Sequence, residues 1–134
     1  MSDERVPPPR DSLASPFARV MAELDGACAG FETAVFCDDL GETIDYYSYL
    51  DPFSARLVGA HHGIVFSSAG ARLAWLGAGA VTSVEIGATG KDSVTVVVAE
   101  RYLLTVVVRA GALSEEVRAR VAEVAARLRD EAGL

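Results

Sequence analysis

Apolar positions fall into two periods along this chain, and each period marks an element. Phe17, Val20, Met21, Leu24 and Ala27 recur at helical spacing, behind the Ser15-Pro16 pair that suits an N-cap and a first helical turn. That helix has one apolar stripe and ends near Asp25-Gly26 or Gly30. "ETAVFCDDLGETIDYYSYL" reads as two antiparallel strands around Asp38-Asp39-Leu40-Gly41, where Gly41 supplies the positive φ of a tight turn. Asp51-Pro52 then opens a long helix running to about Trp75 or Leu76, before Gly77 and Gly79. Three strands are predicted over 81–88, 93–100 and 102–109. "SVTVVVAE" and "YLLTVVVR" are apolar on both alternating faces and belong at the centre of a doubly covered sheet. "TSVEIGA" alternates, as suits a strand covered on one face. A last helix starts at Ser114 and carries Leu113, Val117, Val121, Val124 and Leu128 as its stripe, with Glu115 and Glu116 at its positive end. The order is α-β-β-α-β-β-β-α, an antiparallel sheet with helices on both faces.

The long middle helix breaks the one-stripe rule. At about 100° per residue, Phe53, Leu57, Ala60, Ile64, Ala71 and Trp75 fall on one side. Val58, His62, Val65, Phe66, Ala69, Leu73 and Leu76 fall on the other. Gly59, Gly63 and Gly70 form a narrow line beside Phe66 and Leu73. A helical glycine costs about 0.8–1 kcal/mol against alanine, so three in line imply that the missing side chains make room for a backbone. The reading favoured is a two-fold homodimer in which this helix meets its mate through Val58, Gly59, His62, Gly63, Val65, Phe66, Ala69, Gly70 and Leu73. A helix of the same chain is the competing occupant.

Composition narrows the class. The 134 residues fit one domain over 15–134, preceded by an arm, 1–14, that Pro7-Pro8-Pro9 is expected to leave disordered. Nineteen acids against twelve bases give a net charge of −7, which opposes nucleic acid and anionic membrane as partners. "MSDERVPPPR" has no apolar core of a secretion signal, and His61, His62 and Arg72 interrupt the long apolar stretch, so a cytoplasmic protein without a membrane span is expected. Cys28 and Cys37 read as buried free thiols.

Catalytic signals are weak. His61 and His62 diverge by about 100° on a helix and cannot readily share one metal ion; across a two-fold axis His62 could meet its mate in a metal or pH-sensitive site, but packing is the simpler role. Ser67-Ser68-Ala69-Gly70 is not a nucleophile elbow. Gly77-Ala78-Gly79 follows a helix instead of preceding one, the wrong order for a phosphate loop. No catalytic residue, metal or cofactor is expected. The run Glu32, Asp38, Asp39, Glu42, Asp45 and Asp51 is read chiefly as a solvated hairpin, with acid–base chemistry or a divalent ion as alternatives. It could also dock a basic partner, and Asp39, Glu42, Tyr46, Tyr47 and Tyr49 are the candidate contacts, because alternation must point at least one tyrosine away from the sheet's covered face.

The segment "ELDGACAGFETAVFCDDLGETI", the Ala/Gly-rich middle helix and the valine-rich hairpin together resemble the Roadblock/LC7 family, its bacterial MglB-like branch in particular. The resemblance spans about 15–132; "DYYSYL" and "GAHHG" depart from its pattern. It implies an α+β fold in α/β/α layers: a five-stranded antiparallel sheet with the long helix on one face and the two terminal helices on the other. It also implies a homodimer and a non-enzymatic regulator of a Ras-like small GTPase, which reshapes the GTPase without donating a catalytic residue. The alternative is a scaffold indifferent to nucleotide that binds other Roadblock proteins or a polarity or motility complex. A small enzyme built on the acidic hairpin and a histidine ranks last.

Overall fold

In the computed structural model, which describes residues 5–134, eight main elements appear in the expected order. Helix α1 is Pro16–Ala27, strands β1 and β2 are Phe31–Asp38 and Thr43–Ser48, and the long helix α2 is Pro52–Leu73. Strands β3, β4 and β5 are Ser83–Gly87, Lys91–Ala99 and Tyr102–Arg109, and helix α3 is Glu115–Glu131. Each helix starts as its cap predicts: Ser15, Asp51 and Ser114 accept from the backbone N–H groups of Phe17, Ser54 and Val117. Helix α2 tightens into a single 3-10 turn over Ala74–Leu76 and stops at Gly77, whose φ is +65°. Strand β4 begins at Lys91, two residues before the expected start, because Lys91 pairs with Arg109 of β5.

The five strands form one antiparallel sheet in the order β2-β1-β5-β4-β3. The central strands β1 and β5 are covered on both sides. Met21 and Leu24 of α1 and Val121 and Leu128 of α3 close over Phe31, Phe36, Leu104, Val106 and Val108, the main core. On the opposite face α2 brings Ala55, Val58 and Phe66 against Val35, Cys37, Tyr46 and Leu103. Thr95 and Thr105 face one another there, 2.9 Å apart and buried, so their hydroxyls satisfy each other. Of the arm expected over 1–14, residues 1–4 lie outside the described residues; 5–14 form no helix or strand and lie along β2.

The glycines of α2 have a different use from the one expected. A Cβ on Gly59 would sit 2.9 Å from Val35 Cγ1, and one on Gly63 would sit 3.2 Å from Gly41 Cα. Both glycines are buried against the chain's own β1–β2 hairpin. The backbone they admit is therefore the hairpin, and their assignment to a contact between subunits is corrected. Gly70, the third of the line, has nothing within 4 Å.

Gly41 is the tightest point of this contact. Its φ is +84°, and a Cβ there would lie 2.8 Å from Ala60 Cα, backbone against backbone. Gly41→Ala is expected to lower the unfolding free energy by about 2–4 kcal/mol, from the left-handed penalty and overpacking together. Gly26→Ala, in a helix with open space around the site, should be neutral or raise it by up to about 1 kcal/mol. Urea denaturation of the two variants checks both signs.

Candidate partner-binding surface

Helix α2 is apolar on two sides, and the sheet takes only one of them. The side carrying Val58, His62 and Phe66 faces the sheet, with Val58 and Phe66 packed on its core. His62 is fixed there too. Its Nδ1 lies 2.8 Å from the Val58 carbonyl oxygen, so Nδ1 carries the proton and donates. The other ring nitrogen, Nε2, lies 3.0 Å from Ser93 Oγ on β4 and accepts from it. This tautomer spends both nitrogens within one chain, a packing role for His62. Val58, Gly59, His62, Gly63 and Phe66 are thus corrected from interface to intramolecular contacts. Val65, Ala69, Gly70 and Leu73, farther along the helix, are half-buried or exposed.

The side left open carries Phe53, Leu57 and Ile64, continued by Trp75 and Leu76 in the 3-10 turn that follows. Ile64 is 66% exposed and Trp75 81%. From Ala71 to Ala80 every residue is exposed, so the end of α2 stands clear of the sheet. Beside it runs β3, an edge strand whose outer side pairs with no other strand among the described residues and whose Ile86 is also exposed. Large exposed apolar side chains thus lie in a row next to the edge of the sheet, the kind of surface that marks interaction sites in other proteins.

The acidic hairpin is parcelled out among separate structural tasks. Asp38 Oδ1 accepts from the backbone N–H groups of Leu40 and Glu42, each at 2.9 Å, and so holds the turn. Asp39 pairs with Arg101 at 3.4 Å, Glu32 pairs with Lys91, and Asp51 caps α2. The Ser54 backbone N–H and hydroxyl hold the Asp51 carboxyl below its usual range. Glu42 is exposed. No group of three or more His, Cys, Asp or Glu side chains that could hold a metal ion exists among the described residues. The Cys37 thiol, pushed up to about 12 by burial and by the neighbouring Asp38, is no nucleophile at neutral pH.

The tyrosines are the second correction. Alternation does send Tyr46 to one face and Tyr47 to the other, but both faces are covered. Tyr46 lies under α2 and donates its hydroxyl to Asp11 at 2.8 Å. Tyr47 and Tyr49 pack beside Phe31 under α1, and both donate to Asp25. Of the candidate contacts Asp39, Glu42, Tyr46, Tyr47 and Tyr49, Glu42 is exposed, Asp39, Tyr47 and Tyr49 are half-buried, and Tyr46 is buried. The arm residues Arg5, Arg10 and Asp11, which grip this region, carried no signal beyond one: Asp45 shares a strand face with Tyr47, and an acid on a covered face demands a partner.

These hydroxyl–carboxylate bonds set a pH window. Burial first and Asp11 second raise Tyr46, burial and Asp25 raise Tyr47, and Asp25 first and burial second raise Tyr49. A raised value means a contribution to stability that is complete below the ordinary pKa of 10.0 and lost as pH climbs through the raised one. Asp11 shifts the opposite way: hydrogen bonds from Arg56 and Tyr46 hold it below 3.8, so its contribution is complete above that pH and lost as pH falls through the lowered value. Tyrosinate absorbance from Tyr46, Tyr47 and Tyr49 is expected only above pH 10. Their titration with an ordinary midpoint in the native protein would contradict the bonding described.

The architecture matches solved structures. A Roadblock/LC7 domain from Streptomyces avermitilis superposes with a TM-score of 0.82 at 18% identity, over 90% of this chain and 100% of that one. MglB of Myxococcus xanthus gives 0.78 at 12% identity, over 90% and 97%. The gliding protein MglB of Thermus thermophilus gives 0.76 at 15% identity, over 88% and 92%. No family model matches the chain, and no curated protein matches it.

Proposed function

We propose, from the premise that the chain has the Roadblock/LC7 fold, that it is a non-enzymatic adaptor that forms a homodimer and regulates a Ras-like small GTPase by binding it. The observation that carries this reading is the outward row Phe53, Leu57 and Ile64 on α2, continued by Trp75, open to solvent beside the free edge of β3. A two-fold axis across that surface covers both apolar rows and both strand edges with one operation. The dimer surface so proposed keeps Val65, Ala69, Gly70 and Leu73 and replaces the sheet-facing residues with Ile64, Trp75, Leu76 and Ile86. Glu42, exposed, and Asp39, half-buried, lie at the hairpin turn next to α2 and are left for a third protein. The dispersal of histidines, serines and acids into separate structural contacts supports binding over catalysis.

Among the described residues no helix is long and apolar enough to cross a membrane. A second reading, a scaffold assembled with other proteins of this fold and indifferent to nucleotide, draws on the fold's recurrence in MglC of Myxococcus xanthus, TM-score 0.63 at 18% identity over 86% of this chain and 98% of that one.

Two measurements test the reading. Ile64→Glu should leave the monomer folded, because the side chain is exposed, and weaken dimerisation by about 30-fold or more, the size of an interface hot spot. Light scattering reads the mass, and Trp75, the single tryptophan, reports burial as a blue shift on concentration in the unmodified protein alone. A wild-type chain that stays monomeric at tens of micromolar sinks the homodimer. Separately, a small GTPase should be retained by the immobilised protein with a GTP analogue and released with GDP. Equal retention in both, of proteins of its own fold, establishes the scaffold and removes the GTPase role.

A further inference from the structure

The two edges of the sheet are treated differently. The β3 edge is open, whereas β2 is gripped along its outer side by residues 5–14. Asp45, at the middle of β2, is only 5% exposed. Its carboxylate accepts from the Arg10 guanidinium and from the Ser15 hydroxyl, and Ser15 N–H approaches it at 3.2 Å. The same guanidinium donates to the Tyr46 carbonyl oxygen and stacks over the Tyr46 ring at 4.4 Å. One residue on, Asp11 accepts from the Tyr46 hydroxyl and pairs with Arg56 of α2. Asp45 and Tyr46 point to opposite faces of the strand, so consecutive arm residues hold the edge from both sides. Earlier in the arm, Arg5 donates to the Phe31 carbonyl oxygen at 2.6 Å and lies 3.9 Å over the Tyr49 ring.

This grip is made of side-chain polar contacts. Pro7-Pro8-Pro9 has no N–H to offer a strand ladder, and among the described residues β2 pairs only with β1. The arm's two large aliphatic side chains among the described residues, Val6 and Leu13, are 82% and 95% exposed, so apolar burial adds little. Proline pre-extends the segment and lowers the entropy lost on docking. The receiving side is better built than the guest: a buried carboxylate, a flat aromatic ring and a carbonyl oxygen converge on one guanidinium. That combination recognises arginine in a way lysine's point charge cannot match.

We propose that the outer edge of β2, centred on Asp45 and Tyr46, is a binding site for an extended arginine-bearing segment, and that residues 5–14 are its built-in, exchangeable occupant. While the arm is docked, the edge is closed to any other chain. When it lifts, Asp45, the Tyr46 hydroxyl and Arg56 are exposed together.

Limited trypsin digestion of the full chain reads the docking directly, because cleavage after Arg10 requires that guanidinium to enter the protease. Cleavage there should be roughly tenfold or more slower than in a free peptide of residues 5–14, the effect of one charge-assisted contact set on the open population. It should quicken several-fold in 1 M NaCl, where screening shortens to about 3 Å, with the free peptide as the control for trypsin itself. Cleavage at the free-peptide rate overturns the site, and resistance unmoved by salt overturns the exchange. Fluorescence anisotropy then tests recognition in trans with the full-length Arg10→Ala protein, its fold checked by circular dichroism. A labelled peptide of residues 5–14 should bind it at least about tenfold more tightly than it binds the wild-type protein, whose own arm competes. The same peptide carrying Arg10→Ala should bind neither. Equal binding of both peptides, or none to the folded variant, overturns the proposal; should the variant fail to fold, the wild-type digestion decides alone.

Discussion

The close approach of α2 to the β1–β2 hairpin governs the rest of the molecule. Gly59 and Gly63 let the helix settle on Val35 and on the turn at Gly41, and Gly41 in turn lies against the helix backbone at Ala60. Three missing side chains thus replace a layer of packing atoms, and the helix sits lower at its first half than a leucine-lined helix would. Packing Ala55, Val58 and Phe66 against the sheet on that side fixes the rotation of α2 about its axis. The opposite row from Phe53 to Trp75 then has no choice but to face outward.

Polar groups complete what the glycines begin. His62 ties α2 to Ser93 of β4, Asp38 holds the turn that receives the helix, and Thr95 and Thr105 satisfy each other between sheet and helix. Under α1, Asp25 collects the hydroxyls of Tyr47 and Tyr49, while Arg118 reaches from α3 to Glu85 of β3. Charges that look like a reactive cluster along the chain are spread over different elements, each spent on one neighbour.

Element order could be read from the chain because each element declares its own period and cap, whereas the pairing of β1 with β5 could not. Ser15-Pro16, Asp51-Pro52 and Ser114 start helices as their side-chain chemistry dictates, and the doubly apolar strands β4 and β5 sit inside the sheet. The face of α2 could not be read. Both of its sides are apolar, and a glycine line makes room equally well for a strand turn and for a second helix; only the three-dimensional position of Gly41 decides. The tyrosines misled for a related reason: alternation says that Tyr46 and Tyr47 diverge, and is silent on whether anything covers each face. The arm escaped notice because prolines forbid a ladder without forbidding side-chain contacts, and Arg10 has no periodic neighbour to announce it.

The unequal edges of the sheet have a stoichiometric consequence. In the language of polymer growth, a unit with one reactive end can only terminate, and a unit with two can propagate. With the β2 edge occupied by its own residues, each copy offers a single free edge at β3, so edge-to-edge addition halts after one step. On the exchange proposed for residues 5–14, the arm would act as an end-blocking group, and its docking would set the valence of the protein.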